Sequence, residues 1–143
     1  MSRSTSLAQI RQELRIIAKY RCGYCLSPEV LSGIALTLEH IIPLASGGTD
    51  EIDNLWLSCR TCNEKKGVQT QAEDSNTGEV VPLFNPRTQR WSAHFQWDEA
   101  GTQMSGLTPV GRATIVALDL NRELLVLARE RWVQAGWHPP KDV

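Results

Sequence analysis

The chain has 143 residues, of which 41% are hydrophobic and 22% charged, with a formal net charge of −1. That length suits one domain with a real core, or a small core with an appendage, and the composition is ordinary for a soluble globular protein. The near-zero charge does not advertise a nucleic-acid binder. The longest unbroken apolar run, Leu124–Ala128, is too short for a membrane span or a signal-peptide core. No membrane partner is expected, and with no export signal in view the expected compartment is the cytoplasm, where thiols stay reduced.

In chain order, Leu7, Ile10, Leu14 and Ile17 recur at helical spacing and predict an amphipathic helix over Ser6–Lys19, capped by Ser6. The knuckle RCGYC follows, with Gly23 expected to allow a tight turn. Gly33–His40 alternates as a strand does, and Ile41–Ile42 could extend it. Ala45–Asn54 is turn-rich, Leu55–Ser58 reads as a short apolar strand, and Cys62–Gly67 as the start of a helix ended by glycine. Val68–Glu79 is polar and expected to be loose. In RWSAHFQW, Trp91, Ala93, Phe95 and Trp97 alternate with Ser92, His94 and Gln96, which predicts a strand, with Thr102–Leu107 returning as its hairpin partner. Thr108-Pro109 opens one helix, and Asn121 is the expected cap of a last helix, Arg122–Ala135, stopped by Gly136. The fold class expected is therefore α+β: an N-terminal helix, a small strand-and-helix core, and a C-terminal β-hairpin plus two helices. The expected division is residues 1–79 and residues 80–143, packed on the same domain.

Four cysteines stand in two pairs, Cys22-Gly-Tyr-Cys25 and Cys59-Arg-Thr-Cys62, separated by 33 residues. Four thiolates suit a closed, tetrahedral zinc site that is structural rather than catalytic. Two rivals stand beside it. Disulfides need an oxidising compartment, and a redox C-x-x-C usually stands alone at a helix start.

Between the pairs lie Glu39, His40 and Asn54, and Asn63 directly follows Cys62. The run LEHIIPLASGGTDEIDNLWLSCRTCNEKKG resembles the HNH nucleases, the ββα-metal or His-Me finger class, in its zinc-stapled form. The resemblance covers Arg21–Gly67 and carries an acid-His pair, a middle asparagine and a last asparagine in the family's order and spacing. The tail segments FNPR, GLTPVGRAT, LNR and GWHPP look like an extension found in some bacterial and phage-like members.

The resemblance implies a metal-dependent endonuclease that hydrolyses DNA, expected to be double-stranded, leaving 5′-phosphate and 3′-hydroxyl ends. His40 would be the general base, a role suited to imidazole because its ordinary pKa lies near physiological pH. Asn54 would hold the loop behind it. Glu39 and Asn63 would bind the catalytic ion, and their hard oxygen donors favour Mg²⁺ or Mn²⁺. Strand alternation puts Glu39 and His40 on opposite faces, so a local bend is needed to aim both at one site. Arg60, Lys65 and Lys66 are the expected phosphate contacts, with Arg15, Lys19 and Arg21 as further candidates. Ser46-Gly47-Gly48 resembles a phosphate loop only weakly and reads as a tight turn instead. His94 reads as exposed and incidental, and His138 carries little weight. A zinc-stapled nucleic-acid-binding module that does not cut is the alternative, and the oligomeric state is left open.

Overall fold

The computed structural model describes residues 6–143, which form two compact units, one ending at Val68 and one spanning Gln69–Val143. Both mix short helices with two-stranded antiparallel sheets, so the α+β expectation holds.

The first unit opens with α1, Leu7–Ile17. Its N-terminus is closed by a capping box: Ser6 accepts from the Gln9 amide, and the Gln9 side chain accepts from the Ser6 amide. Of the expected apolar stripe only Ile10 and Leu14 are buried, while Leu7 and Ile17 stay exposed. The helix packs on a strand of four residues, which is too short to cover both of its ends.

The knuckle then folds as a small hairpin in which Arg21 bridges to Pro28 and the Cys22 amide donates to the Ser27 carbonyl at 3.0 Å. Its left-handed residue is Leu26 (φ 60°), not the expected Gly23. Gly23 instead donates its amide to the Leu57 carbonyl at 2.9 Å, which ties the knuckle to the sheet. A short helix, α2 (Glu29–Ser32), follows and ends at left-handed Gly33.

The strand expected over Gly33–His40 is shorter, β1 being Thr37–His40. The Glu29 carboxylate explains the loss: it accepts from the Leu36 amide at 2.6 Å and from Arg15 Nη2 at 3.2 Å. It therefore wraps the preceding residues around α2. Strand β2, Leu55–Ser58, lies where expected and pairs antiparallel with β1, Glu39 opposite Trp56 and His40 opposite Leu55. All four β2 residues are buried, so this strand is the unit's core. Helix α3, Arg60–Lys66, begins two residues earlier than expected because Cys59 caps it.

In the second unit, β3 (Gln71–Glu73), inside the Val68–Glu79 stretch expected to be loose, pairs as a hairpin with β4 (Val80–Pro82) just beyond it. Its turn is organised by Asp74, which is fully buried. Arg112 grips both carboxylate oxygens, at 2.8 and 3.0 Å, and the Thr77 hydroxyl and Asn76 amide donate as well. Polar composition alone hides this pairing, because the arginine lies 38 residues away. The expected strand around RWSAHFQW is half helix: α4, Trp91–His94, turns once before β5, Phe95–Trp97. Strand β5 pairs with β6, Met104–Gly106.

Thr108 caps α5, Pro109–Leu118, with Pro109 at its first position as expected. His94 is not incidental: its Nδ1 contacts the Thr108 hydroxyl at 2.7 Å, supporting that cap. Helix α6, Glu123–Ala135, ends at left-handed Gly136 as expected. Asn121 does not cap it, since its amide instead bonds both backbone groups of Met104. Arg129 is fully buried beneath β6, donating to the Thr102 and Leu120 carbonyls and lying 4.9 Å over the Trp97 ring. His138 is also buried, edge-on to Trp97 at 4.5 Å. No helix among the described residues is long and apolar enough to cross a membrane.

The Arg112 guanidinium holds the Asp74 carboxyl far below the ordinary carboxylate range. A depressed acid stabilises the fold above its unfolded pKa and loses that contribution as pH falls through the folded value. Resistance of the wild type to denaturant should thus fall progressively below about pH 4. Asp74→Asn should be less stable than wild type at neutral pH, and the difference between the two should shrink in acid.

Candidate metal centres and the His40 site

The four cysteine sulfurs converge, all within 4.8 Å of one another, and they are the one cluster of three or more His, Cys, Asp or Glu donors among the described residues. Tetrahedral zinc with Zn–S bonds of about 2.3 Å separates sulfurs by roughly 3.8 Å, and Cys25 and Cys59 are 3.8 Å apart. Backbone amides point at the sulfurs, Tyr24 to Cys22 and Cys62 to Cys59, each at 3.4 Å. Such N–H donors stabilise thiolate. None of the four is in a disulfide. Burial pushes the Cys22 thiol up, and sulfurs this close cannot all lose protons unless a cation balances them. The donor set fits a zinc ion.

The cysteine cluster brings together the two ends of the segment that bears His40. Two residues past Cys22 in the same knuckle, Tyr24 is fully buried and donates its hydroxyl to Glu39 Oε2 at 2.6 Å. On the other side, Lys66 Nζ sits 2.9 Å from Glu39 Oε1 and donates to the His40 and Ile41 carbonyls at 3.1 Å each. Glu39 and Lys66 are both 2% exposed. Strand β1 is regular here, so the bend that would turn Glu39 toward His40 is missing and the two side chains face opposite ways.

This placement bears on two expectations. Lys66, expected at a nucleic-acid phosphate, is buried and clamps the backbone carrying His40. Glu39, expected on a catalytic cation, has both oxygens engaged, one by an ammonium. Asn63 is half-buried on α3 and its side chain makes no hydrogen bond among the described residues.

His40 ends β1 with its side chain 30% exposed, and its Nε2 lies 2.8 Å from Asp50 Oδ1. Asn54 bonds across the loop that follows His40. Its Oδ1 accepts from the Ile42 amide at 2.9 Å, and its Nδ2 donates to the Ile42 and Thr49 carbonyls at 2.9 and 2.8 Å. One side chain thereby pins both ends of the loop after His40. Gly47 closes the turn in the left-handed region, φ 91°. Gly48 is needed for a different reason: a Cβ there would lie 1.7 Å from the Ile42 carbonyl oxygen. The Ser46-Gly47-Gly48 stretch is a turn, as read.

Among the remaining candidates, Arg60 and Lys65 are exposed on α3, while Arg15 is committed to Glu29. Sequence reasoning missed Tyr24, Asp50 and the burial of Lys66. Asp50 had a usable signal, an acid placed just after the Gly-Gly turn that folds the loop back toward His40. Tyr24 and Lys66 had none, because their partners meet only in the fold.

Residues 22–69, about a third of the chain, match the family model described as HNH endonuclease. The resemblance in the sequence is therefore matched over that segment, in which the four cysteines also lie close together. No curated protein and no solved structure gives a significant match.

Two outcomes follow. Zinc bound by such modules contributes roughly 10–16 kcal/mol, against a typical total stability of about 5–15 kcal/mol. Cys62→Ser should bind less than one equivalent of zinc by elemental analysis, and the first unit should lose its dispersed NMR resonances. Breaking a buried ion pair from one side costs about 3–5 kcal/mol. Lys66→Met should destabilise the first unit by that order in denaturant unfolding with zinc retained, whereas a Lys66 serving only a substrate would leave stability unchanged.

Proposed function

We propose that the first unit is a divalent-metal-dependent DNA endonuclease of the HNH, ββα-metal type, with His40 as the general base. The observation that carries this reading is the half-exposed imidazole at the end of β1, inside the segment that matches the family. Its neighbouring backbone is fixed on both sides, by Lys66 on the carbonyls and by Asn54 on the loop. Rigid placement of this kind is what proton abstraction from an attacking water requires, since a displacement of about 1 Å can cost 10²-fold in rate.

His40 would take the proton from water as it attacks phosphorus, and the expected products are 5′-phosphate and 3′-hydroxyl ends. Arg60 and Lys65 on the exposed side of α3 would contact backbone phosphates, without reading sequence. Asn63 is the donor left open for Mg²⁺ or Mn²⁺, and Glu39 would join it only by exchanging Lys66 for the ion. Double-stranded DNA is the proposed substrate. A single site of this kind nicks one strand.

A second reading, a zinc-stapled module that binds nucleic acid without cutting, is favoured by one observation: Glu39 is already neutralised by Lys66. A plasmid-nicking assay with Mg²⁺ or Mn²⁺ separates the two. Cutting should occur with the metal, stop with EDTA, and fall by roughly 10²–10⁴-fold in His40→Ala, about 3–5 kcal/mol of barrier. Retention of plasmid in a gel shift with no cutting would select the binding module, and full activity in His40→Ala would remove this residue from its role.

A further inference from the structure

We infer that Asp50 is a positioning residue for His40, a role that rests on the nuclease reading above. A solvent-exposed carboxylate at neutral pH only accepts hydrogen bonds. The 2.8 Å contact between Asp50 Oδ1 and His40 Nε2 therefore places the imidazole proton on Nε2 and leaves the Nδ1 lone pair for the proton of water. The carboxylate also fixes the plane of the ring and faces the positive charge that appears on it once the proton is taken.

Asp50 does not reach His40 by chance of a mobile side chain. They lie ten positions apart, and the loop between is held at both ends. Asn54 bonds Ile42 at its start and Thr49 at its end, so the residue before Asp50 and the second residue after His40 share one amide. Gly48 presses against the Ile42 carbonyl, an approach no side chain permits. Thr49 Oγ1 accepts the Glu51 amide at 3.3 Å, which bends the chain around Asp50 itself. Asp50 is 67% exposed on its side chain and has no part in the core, so the site loses an orienting group, and not its fold, when the carboxylate is removed.

The other groups facing His40 are accounted for differently. Lys66 and Asn54 act on backbone, and Glu39 lies behind the strand with Tyr24. Asp50 is the side chain the described contacts place on the ring.

The experiment combines two readouts on the full chain loaded with zinc. In 15N-histidine spectra, His40 Nε2 should carry the proton, with a shift that moves in Asp50→Ala while zinc content and backbone spectra stay as in wild type. In the nicking assay, Asp50→Ala should lower kcat by about 10–10²-fold with KM nearly unchanged, and Asp50→Asn, which keeps an acceptor oxygen, should recover most of the loss. An identical Nε2 resonance in wild type and Asp50→Ala overturns the contact. Wild-type kcat in Asp50→Ala overturns the positioning role while leaving the nuclease reading intact. A wild type that cuts nothing overturns the nuclease reading and this role together.

Discussion

Four sulfurs drawn to one point constrain everything that precedes and follows β1 and β2. Cys22 and Cys25 lie on the hairpin that enters the strand pair, and Cys59 and Cys62 on the turn that leaves it. A unit with a two-stranded sheet and three short helices has little apolar area to bury, and isolated hairpins are marginal in water. The cysteine cluster compensates by fastening the two ends of the segment to each other. Cys59 does so twice over, since its sulfur belongs to the cluster and also accepts the Cys62 amide that starts α3.

From that anchor a polar relay runs inward. Tyr24 stands in the first knuckle and touches Glu39. Glu39 holds Lys66, and Lys66 holds the carbonyls of His40 and Ile41. Each member is buried, and each is satisfied by the next, which is the condition under which a charged pair in a core can be tolerated. The relay transmits the position of the knuckle to the end of β1 without relying on apolar packing.

What the sequence disclosed was local chemistry. The Ser6 cap, Thr108-Pro109, the stop at Gly136 and the paired cysteines are signals within a few residues, and each appears where it was read. The match to a nuclease family was legible for the same reason, as a motif with fixed spacing. What stayed hidden depends on partners far along the chain. Glu39 gave no hint that Lys66 would take its carboxylate, and Arg112 gave none that it would organise the turn at Asp74. The alternation of β1 was readable and did put Glu39 and His40 on opposite faces, but the bend needed to reconcile both roles did not follow. In RWSAHFQW the period-two pattern was outweighed locally, where the Phe95 amide bonds the Trp91 carbonyl and closes a helical turn first.

The near-contact at Gly48 has a consequence for anything that binds beside it. With that residue seated on the Ile42 carbonyl and Asn54 bridging the two arms, the rim is a fixed buttress, set before any ligand arrives. A ligand bound there would surrender little chain entropy from the loop. The same stiffness would leave such a molecule to meet a preset edge rather than one that moulds to it.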